Sequence, residues 1–337
     1  MKKTAVLIGY GGMGKRYFDT LKKMNFKIIA VCEHKDSLLL NLKKNKSIYK
    51  TNNYKDLLEF KADLICIATN TKSRFKIITD FCKKKKIKKI ITEKPLSTSY
   101  LKCAEIVNIA KKNKIKLIVN THRTHSPNWL MIKDFFKEKN EKVTSINISS
   151  PSAGLGNMGS TFFDFGFFFF NTKPKSVVSF IDKTKTPNPR GSNFKDPGGY
   201  GIINYDDDEK LIFDLSENTG LPYVIHIKSK NYEFQIDEIN NKFILHSRPP
   251  EMRKKPLYFY IFKPQQRIIK LKHKFDIVNM TKYSIDKLFS KNFNYKNLDT
   301  AKKIMECIFA AHISSIEKKI ITLPLKKKYQ KLEVNFA

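Results

Sequence analysis

Along the first 120 residues, short apolar runs alternate with stretches of helical spacing. Ala5–Gly9, Lys27–Cys32, Asp63–Thr69, Lys88–Thr92 and Lys116–Asn120 are rich in Ile, Val and Leu and predict five strands. Between them, Lys15–Met24 places Tyr17, Phe18, Leu21 and Met24 on one helical face, and Asp36–Leu42, Ser73–Lys84 and Ser99–Asn113 predict further helices. Strands alternating with helices predict βαβ units: a doubly wound parallel sheet covered on both faces.

Beyond Pro127 the pattern changes. A helix over Asn128–Glu138 precedes strand-like runs at Lys142–Ser149, Ser176–Asp182, Gly201–Tyr205, Lys210–Leu215, Tyr223–Ser229, Tyr232–Ile236 and Lys242–Ser247. Short polar turns at Asp206–Asp208 and Ser229–Asn231 predict antiparallel hairpins. A periodic helix over Leu298–Glu317 follows. The expected architecture is therefore α/β: a Rossmann domain over 1–121, then an α+β domain over 122–337 with a large, mainly antiparallel sheet that binds substrate and carries oligomer contacts.

Composition narrows this little. Aromatic residues make up 12% of the 337 positions, which suits packed cores rather than disorder. No apolar run approaches the roughly 20 residues of a membrane span, and the densest, Phe162–Phe170, is broken by Asp164 and Gly166 and reads as core. Five scattered cysteines without metal or redox spacing suit a reducing, cytoplasmic setting. The net charge of +34 is spread over lysines along the whole chain, as an AT-rich genome would produce, and no motif points to nucleic acid. The cationic surface suits an anionic substrate.

Chemistry first shows in the glycine loop. Gly9-Tyr10-Gly11-Gly12-Met13-Gly14 fits G-x-G-x-x-G, with a strand before it and an amphipathic helix after it. Glycines there permit a tight turn, close approach of backbone N–H groups to a pyrophosphate, and helix–strand packing. Glu33 ends the second strand, near the spacing at which an acid grips a ribose hydroxyl and repels a 2′-phosphate. NAD is expected in preference to NADP, although His34 and Lys35 beside the acid soften that repulsion.

Thr92-Glu93-Lys94-Pro95 follows the fourth predicted strand, at the sheet's carboxyl edge, and Ala68-Thr69-Asn70 follows the third. With the glycine loop, these motifs resemble the Gfo/Idh/MocA (glucose-fructose oxidoreductase, inositol dehydrogenase, rhizopine catabolism) family. The resemblance extends along nearly the whole chain. Val119-Asn120-Thr121-His122-Arg123 resembles the segment leading into that family's second domain. Asn157-Met158-Gly159-Ser160-Thr161-Phe162-Phe163-Asp164 resembles its D-x-G-x-H-x-x-D active-site segment.

The resemblance implies roles. Lys94 contacts a sugar hydroxyl and assists proton transfer, Asp164 and Asn157 orient the site, and Gly9 to Gly14, Glu33, Ala68, Thr69, Asn70, Glu93 and Lys94 surround the cofactor. Arg123 and His125 join Lys94, Asn157 and Thr161 around the substrate. Two positions depart: Asn157 stands where an aspartate is common, and Thr161 stands where the acid/base histidine belongs. A threonine hydroxyl does not titrate near neutral pH. Lys94 alone, or His122 or His125 from the neighbouring loop, would then carry the proton. The expected function is an NAD-dependent oxidoreductase acting on a sugar or nucleotide sugar, in surface-glycan biosynthesis; the alternative is a regulatory or scaffold protein that binds the cofactor or a sugar nucleotide without redox turnover. The family's second sheet implies a homodimer or homotetramer. Pro189-Arg190-Gly191-Ser192 reads as a loop over the site, and no metal is expected.

Overall fold

The computed structural model describes residues 2–40, 42, 46–151, 154–183, 188, 191, 193–217, 220–273 and 275–336. Its first sheet holds β1 (Thr4–Ile8), β2 (Lys27–Cys32), β3 (Tyr49–Thr51), β4 (Leu64–Ile67), β5 (Lys89–Thr92) and β6 (Lys116–Val119). All six are parallel and lie in the order β3-β2-β1-β4-β5-β6. The order reverses between β1 and β4, the switch point at which such sheets bind ligands.

Helices α1 (Gly12–Lys23), α2 (Asp36–Leu40), α3 (Thr71–Lys84) and α4 (Tyr100–Lys112) connect these strands. Side chains set two of the starts: Asn70 accepts from the N–H of Ser73 at 3.0 Å, and Ser99 from that of Lys102 at 3.3 Å. The sequence pattern missed β3, because three residues with Tyr49 exposed carry no run of apolar positions.

The rest of the chain forms α5 (Pro127–Glu138), β7 (Val143–Ser149), α6 (Leu155–Phe162), α7 (Asp164–Phe169), β8 (Pro174–Ile181), β9 (Gly199–Tyr205) and β10 (Lys210–Leu215). After these come β11 (Val224–Ser229), β12 (Tyr232–Asp237), β13 (Lys242–Ser247), α8 (Pro250–Arg253), β14 (Gln265–Lys270), α9 (Ile277–Phe289), α10 (Lys296–Glu317) and β15 (Ile321–Thr322). The nine strands run β14-β13-β12-β11-β7-β10-β9-β8-β15. Every pairing is antiparallel except β7 with β10. The two expected hairpins join β9 to β10 and β11 to β12.

The phenylalanine-rich run builds α6 and α7, and Phe162, Phe163 and Phe165 are wholly buried. Trp129 of α5 stacks on Phe165 at 4.1 Å between ring centroids. One continuous core runs from the α3 and α4 side of the first sheet, past α10, to the inner face of the second. A separate core under α1 includes Ile285 and Leu288 of α9. The second half of the sequence thus returns to complete the layer over the first sheet. The five cysteines are buried and unpaired with one another, and among the described residues no helix is long and apolar enough to cross a membrane.

Candidate active site

The turn from β1 into α1 works through its glycines in two ways. Gly9 has φ +90°, a left-handed conformation that favours glycine. A Cβ on Gly14 would lie 2.0 Å from the Gly9 carbonyl oxygen, so α1 packs against the turn only with hydrogen there. Gly11 and Gly12 are different, because nothing lies within 4 Å of a Cβ added at either. Their backbone faces open space beside the first turn of α1, which has no acidic residue and no side-chain cap. Amide donors and the positive end of the helix dipole therefore face a site suited to an anion. Tyr10 turns its ring inward against Phe18, and Met13 receives an Arg16 N–H on its sulfur at 3.2 Å.

A cavity of about 390 Å³ opens here, lined in part by Gly9, Gly11, Glu33, Ala68, Thr69 and Asn70. Glu33 is buried. Its Oε2 accepts from the backbone N–H of Tyr10 at 2.6 Å, and its Oε1 from that of Lys35 at 3.1 Å. His34 Nδ1 lies 2.8 Å from the same Oε1. Glu33 thus shapes the glycine loop as well as the cavity wall. These features fit a dinucleotide: open backbone donors at Gly11 and Gly12, an acid at the end of β2, and the loop after β4.

Arg74, buried in α3, ties the loop after β4 to the loop after β5 by donating to the carbonyls of Thr69, at 2.6 Å, and Pro95. Glu93, expected at the cofactor, is buried and has partners in the core. Its Oε1 accepts from Tyr17 Oη at 2.8 Å and Asn120 Nδ2 at 3.0 Å, and that amide also reaches Thr281 Oγ1 at 3.2 Å. Glu93 therefore pins α1, β6 and α9 together from within the core.

Lys94 and Asn157 come together. The Lys94 ammonium donates to the Asn157 carbonyl at 2.9 Å and to Asn157 Oδ1, joining the loop after β5 to α6. Thr161, one turn further along α6, lies on the same helical face as Asn157 and is buried. A residue that the sequence reading did not single out holds this helix. Asp196 accepts from the N–H groups of Gly156, at 2.7 Å, and Asn157, at 3.0 Å, so its carboxylate sits on the N-terminal turn of α6. Of the loop expected over the site, Pro189, Arg190 and Ser192 lie outside the described residues.

Three expected site residues are engaged elsewhere. The Asp164 carboxylate accepts from Thr124 Oγ1 at 2.6 Å and borders a second cavity. Burial pushes its pKa up to about 6, against the hydrogen bonds from Thr124 and Thr121. Arg123 pairs with buried Glu238 at 3.3 Å and is caged by the rings of Phe162, Tyr223 and Phe275 at 5.6, 5.4 and 5.2 Å. Its charge answers a buried acid under the second sheet. His125 Nδ1 meets Ser284 Oγ at 2.9 Å, and burial holds its pKa down to about 3. His122 is the histidine that senses Lys94: burial, then the charges of Arg123 and Lys94, keep it well below the usual histidine range.

Residues 3–121 match the model of an oxidoreductase family described as having an NAD-binding Rossmann fold, the Gfo/Idh/MocA family. No curated protein matches the chain. Solved structures resemble it over almost their entire length. An NAD-binding oxidoreductase from Klebsiella pneumoniae has a TM-score of 0.80 at 11% identity, covering 97% of this chain and 100% of its own. A levoglucosan dehydrogenase in complex with NADH and levoglucosan has a TM-score of 0.81 at 12% identity, covering 96% and 100%. GenD2 from gentamicin A biosynthesis, solved with NAD, has a TM-score of 0.76 at 13% identity, covering 96% of each. At these identities the likeness is one of fold. The matched segment holds the glycine loop, Glu33 and Lys94, and Asn157 and Thr161 come from the part of the chain beyond it.

Proposed function

We propose that this protein is an NAD-dependent oxidoreductase that moves a hydride between nicotinamide and the hydroxyl-bearing or keto carbon of a sugar or nucleotide sugar. The observation that carries the reading is the meeting of Lys94 with Asn157 at the carboxyl edge of a sheet whose glycine loop is shaped for a dinucleotide. Bound nicotinamide supplies or accepts the hydride. The chain supplies the rest: Lys94 hydrogen-bonds the substrate oxygen, taking its proton as the neutral amine in oxidation or giving one as the ammonium in reduction. Asn157 orients that amine through two oxygens, and the Thr161 hydroxyl, which both donates and accepts, holds the substrate without titrating. Glu33 favours NAD, because a carboxylate repels a 2′-phosphate.

The substrate class rests on the family resemblance, on similarity of fold to a levoglucosan dehydrogenase, and on a cationic chain suited to a phosphate- or carboxylate-bearing sugar of surface-glycan synthesis. Stacked Phe180 and Tyr200, both half exposed on the second sheet, support a second copy of the chain on that face. Titration with NADH and NADPH near physiological salt is the first test, followed by nucleotide-sugar turnover with the wild type and Lys94→Ala. Preferred NADH binding with turnover that Lys94→Ala abolishes supports the proposal. Thr161 in the histidine's place favours the second reading, and cofactor binding without turnover on any of these sugars would establish it.

A further inference from the structure

The second cavity, of about 400 Å³, shares no lining residue with the dinucleotide cavity. Lys133 of α5, Lys287 of α9 and Lys296 at the start of α10 all line it. Lysines are common in this chain, but most of the ion-paired ones meet a carboxylate at the surface. Among the described residues none of these three has a carboxylate within 4 Å. Lys133 donates instead to the Phe168 carbonyl at 2.7 Å. Asp164 is the carboxylate on the cavity wall, and Asp134 acts on Lys133 from the side.

Lys296 also opposes the other two. Burial, then the charge of Lys296, lowers the pKa of Lys133; burial lowers that of Lys287, which Asp164 raises and Lys296 lowers. Lys296 stands on the first turn of the 22-residue α10, where the dipole disfavours a cation; Asn294 Oδ1 accepts from its N–H at 3.0 Å, and Asp299 on the same turn is paired with Lys111. Three ammonium groups around one space, answered on its wall by the carboxylate of Asp164, are stabilised by an anion between them. Point-like ammonium charges suit a compact tetrahedral oxyanion; the Lys133 ammonium lies over the Phe168 ring at 4.6 Å, and the Phe167 ring also lines the space that an organic body would fill.

We infer that the cavity between α5, α7, α9 and the start of α10 is a second ligand site that takes a phosphate monoester. This goes beyond the oxidoreductase reading and stands without it. The test is calorimetric titration with inorganic phosphate at about 0.15 M salt, where exposed charges are screened, with malonate as the dicarboxylate arm. Saturable phosphate binding is expected to weaken about tenfold, or 1.4 kcal/mol, in Lys287→Gln/Lys296→Gln. Lys83→Gln/Lys84→Gln, with the same change of net charge, should leave it unaltered. Equal loss in both variants, or no saturable binding, overturns the inference, and stronger binding of malonate than phosphate overturns the ligand class. Phosphate held at the glycine loop would not respond to Lys287 and Lys296, so the two sites are told apart. Asp164→Asn gives a check of opposite sign: removing the wall carboxylate should tighten phosphate binding about threefold.

Discussion

Glu33 accepts a hydrogen bond from the backbone N–H of Tyr10 at 2.6 Å, so the acid proposed to select the cofactor also holds the loop that would bind it. The two roles separate by substitution. Glu33→Ala strands a buried N–H, which costs about 1–3 kcal/mol, and should weaken NADH binding while relaxing discrimination against NADPH. Glu33→Gln keeps an acceptor oxygen for Tyr10 but removes the charge. It should retain NADH affinity within about threefold, since a neutral hydrogen bond is worth roughly 1 kcal/mol net, and bind NADPH more tightly than the wild type. Equal NADPH affinity in both variants and the wild type would remove Glu33 from the ribose site.

Gly12 and Gly14 make a second contrast. A Cβ on Gly14 collides with the Gly9 carbonyl, whereas one on Gly12 meets nothing within 4 Å. Gly14→Ala should destabilise the fold. Gly12→Ala should leave stability unchanged or raise it by about 0.5–1 kcal/mol, because alanine is the better helix former. Its methyl group would nevertheless occupy the open space at the start of α1. NADH affinity is expected to fall about tenfold or more, a loss of at least 1.4 kcal/mol. Unchanged affinity in a folded Gly12→Ala protein would place the pyrophosphate elsewhere.

Asp196 is a positioning residue, because it acts on Lys94 through the first turn of α6. Asp196→Ala removes the acceptor for the N–H groups of Gly156 and Asn157 and lets Asn157 drift from Lys94. The expected signature in steady-state kinetics is a fall in kcat of about tenfold, or 1.4 kcal/mol of transition-state stabilisation, with NADH affinity unaltered. Asp196→Asn, which keeps one acceptor, should recover part of it. Matching losses in kcat and NADH affinity would reduce Asp196 to a general stabiliser.

Local signals made much of this site legible. The glycine loop and Glu33 are joined by one strand and its flanking helix, and α1 was visible from Tyr17, Phe18 and Leu21 on one face. Asp196 gave no such signal: its partner Gly156 is 40 positions away, and only the closed fold brings the carboxylate to the start of α6. The partner of Arg123 is equally remote, since its acid, Glu238, lies 115 positions further on. Helix α9 escaped the periodicity reading because Thr281 and Ser284 interrupt the apolar face that Met280, Ile285 and Leu288 form, yet both polar side chains have buried partners, in Asn120 and His125. Position in a motif did not settle direction either, as Glu93 stands beside Lys94 and points into the core.

Asp164 and His125 border the same cavity and should make stability depend on pH in opposite senses. The folded protein holds Asp164 up to about 6 from 3.8, so Asp164 binds its proton more tightly folded than unfolded. Its contribution is present below the unfolded value and is lost as pH rises through about 6. His125 is held down to about 3 from 6.5 and takes up a proton on unfolding. Its contribution is present above pH 6.5 and is lost as pH falls toward 3. Urea unfolding near pH 4.5 and near pH 7.5 separates them. Relative to the wild type, Asp164→Asn should become more favourable at the higher pH by roughly 2 kcal/mol, at 1.36 kcal/mol per unit. His125→Asn should become more favourable at the lower pH by a similar amount. Slopes of the same sign in the two variants would mean that the cavity does not hold one group as a neutral base while raising the other as an acid.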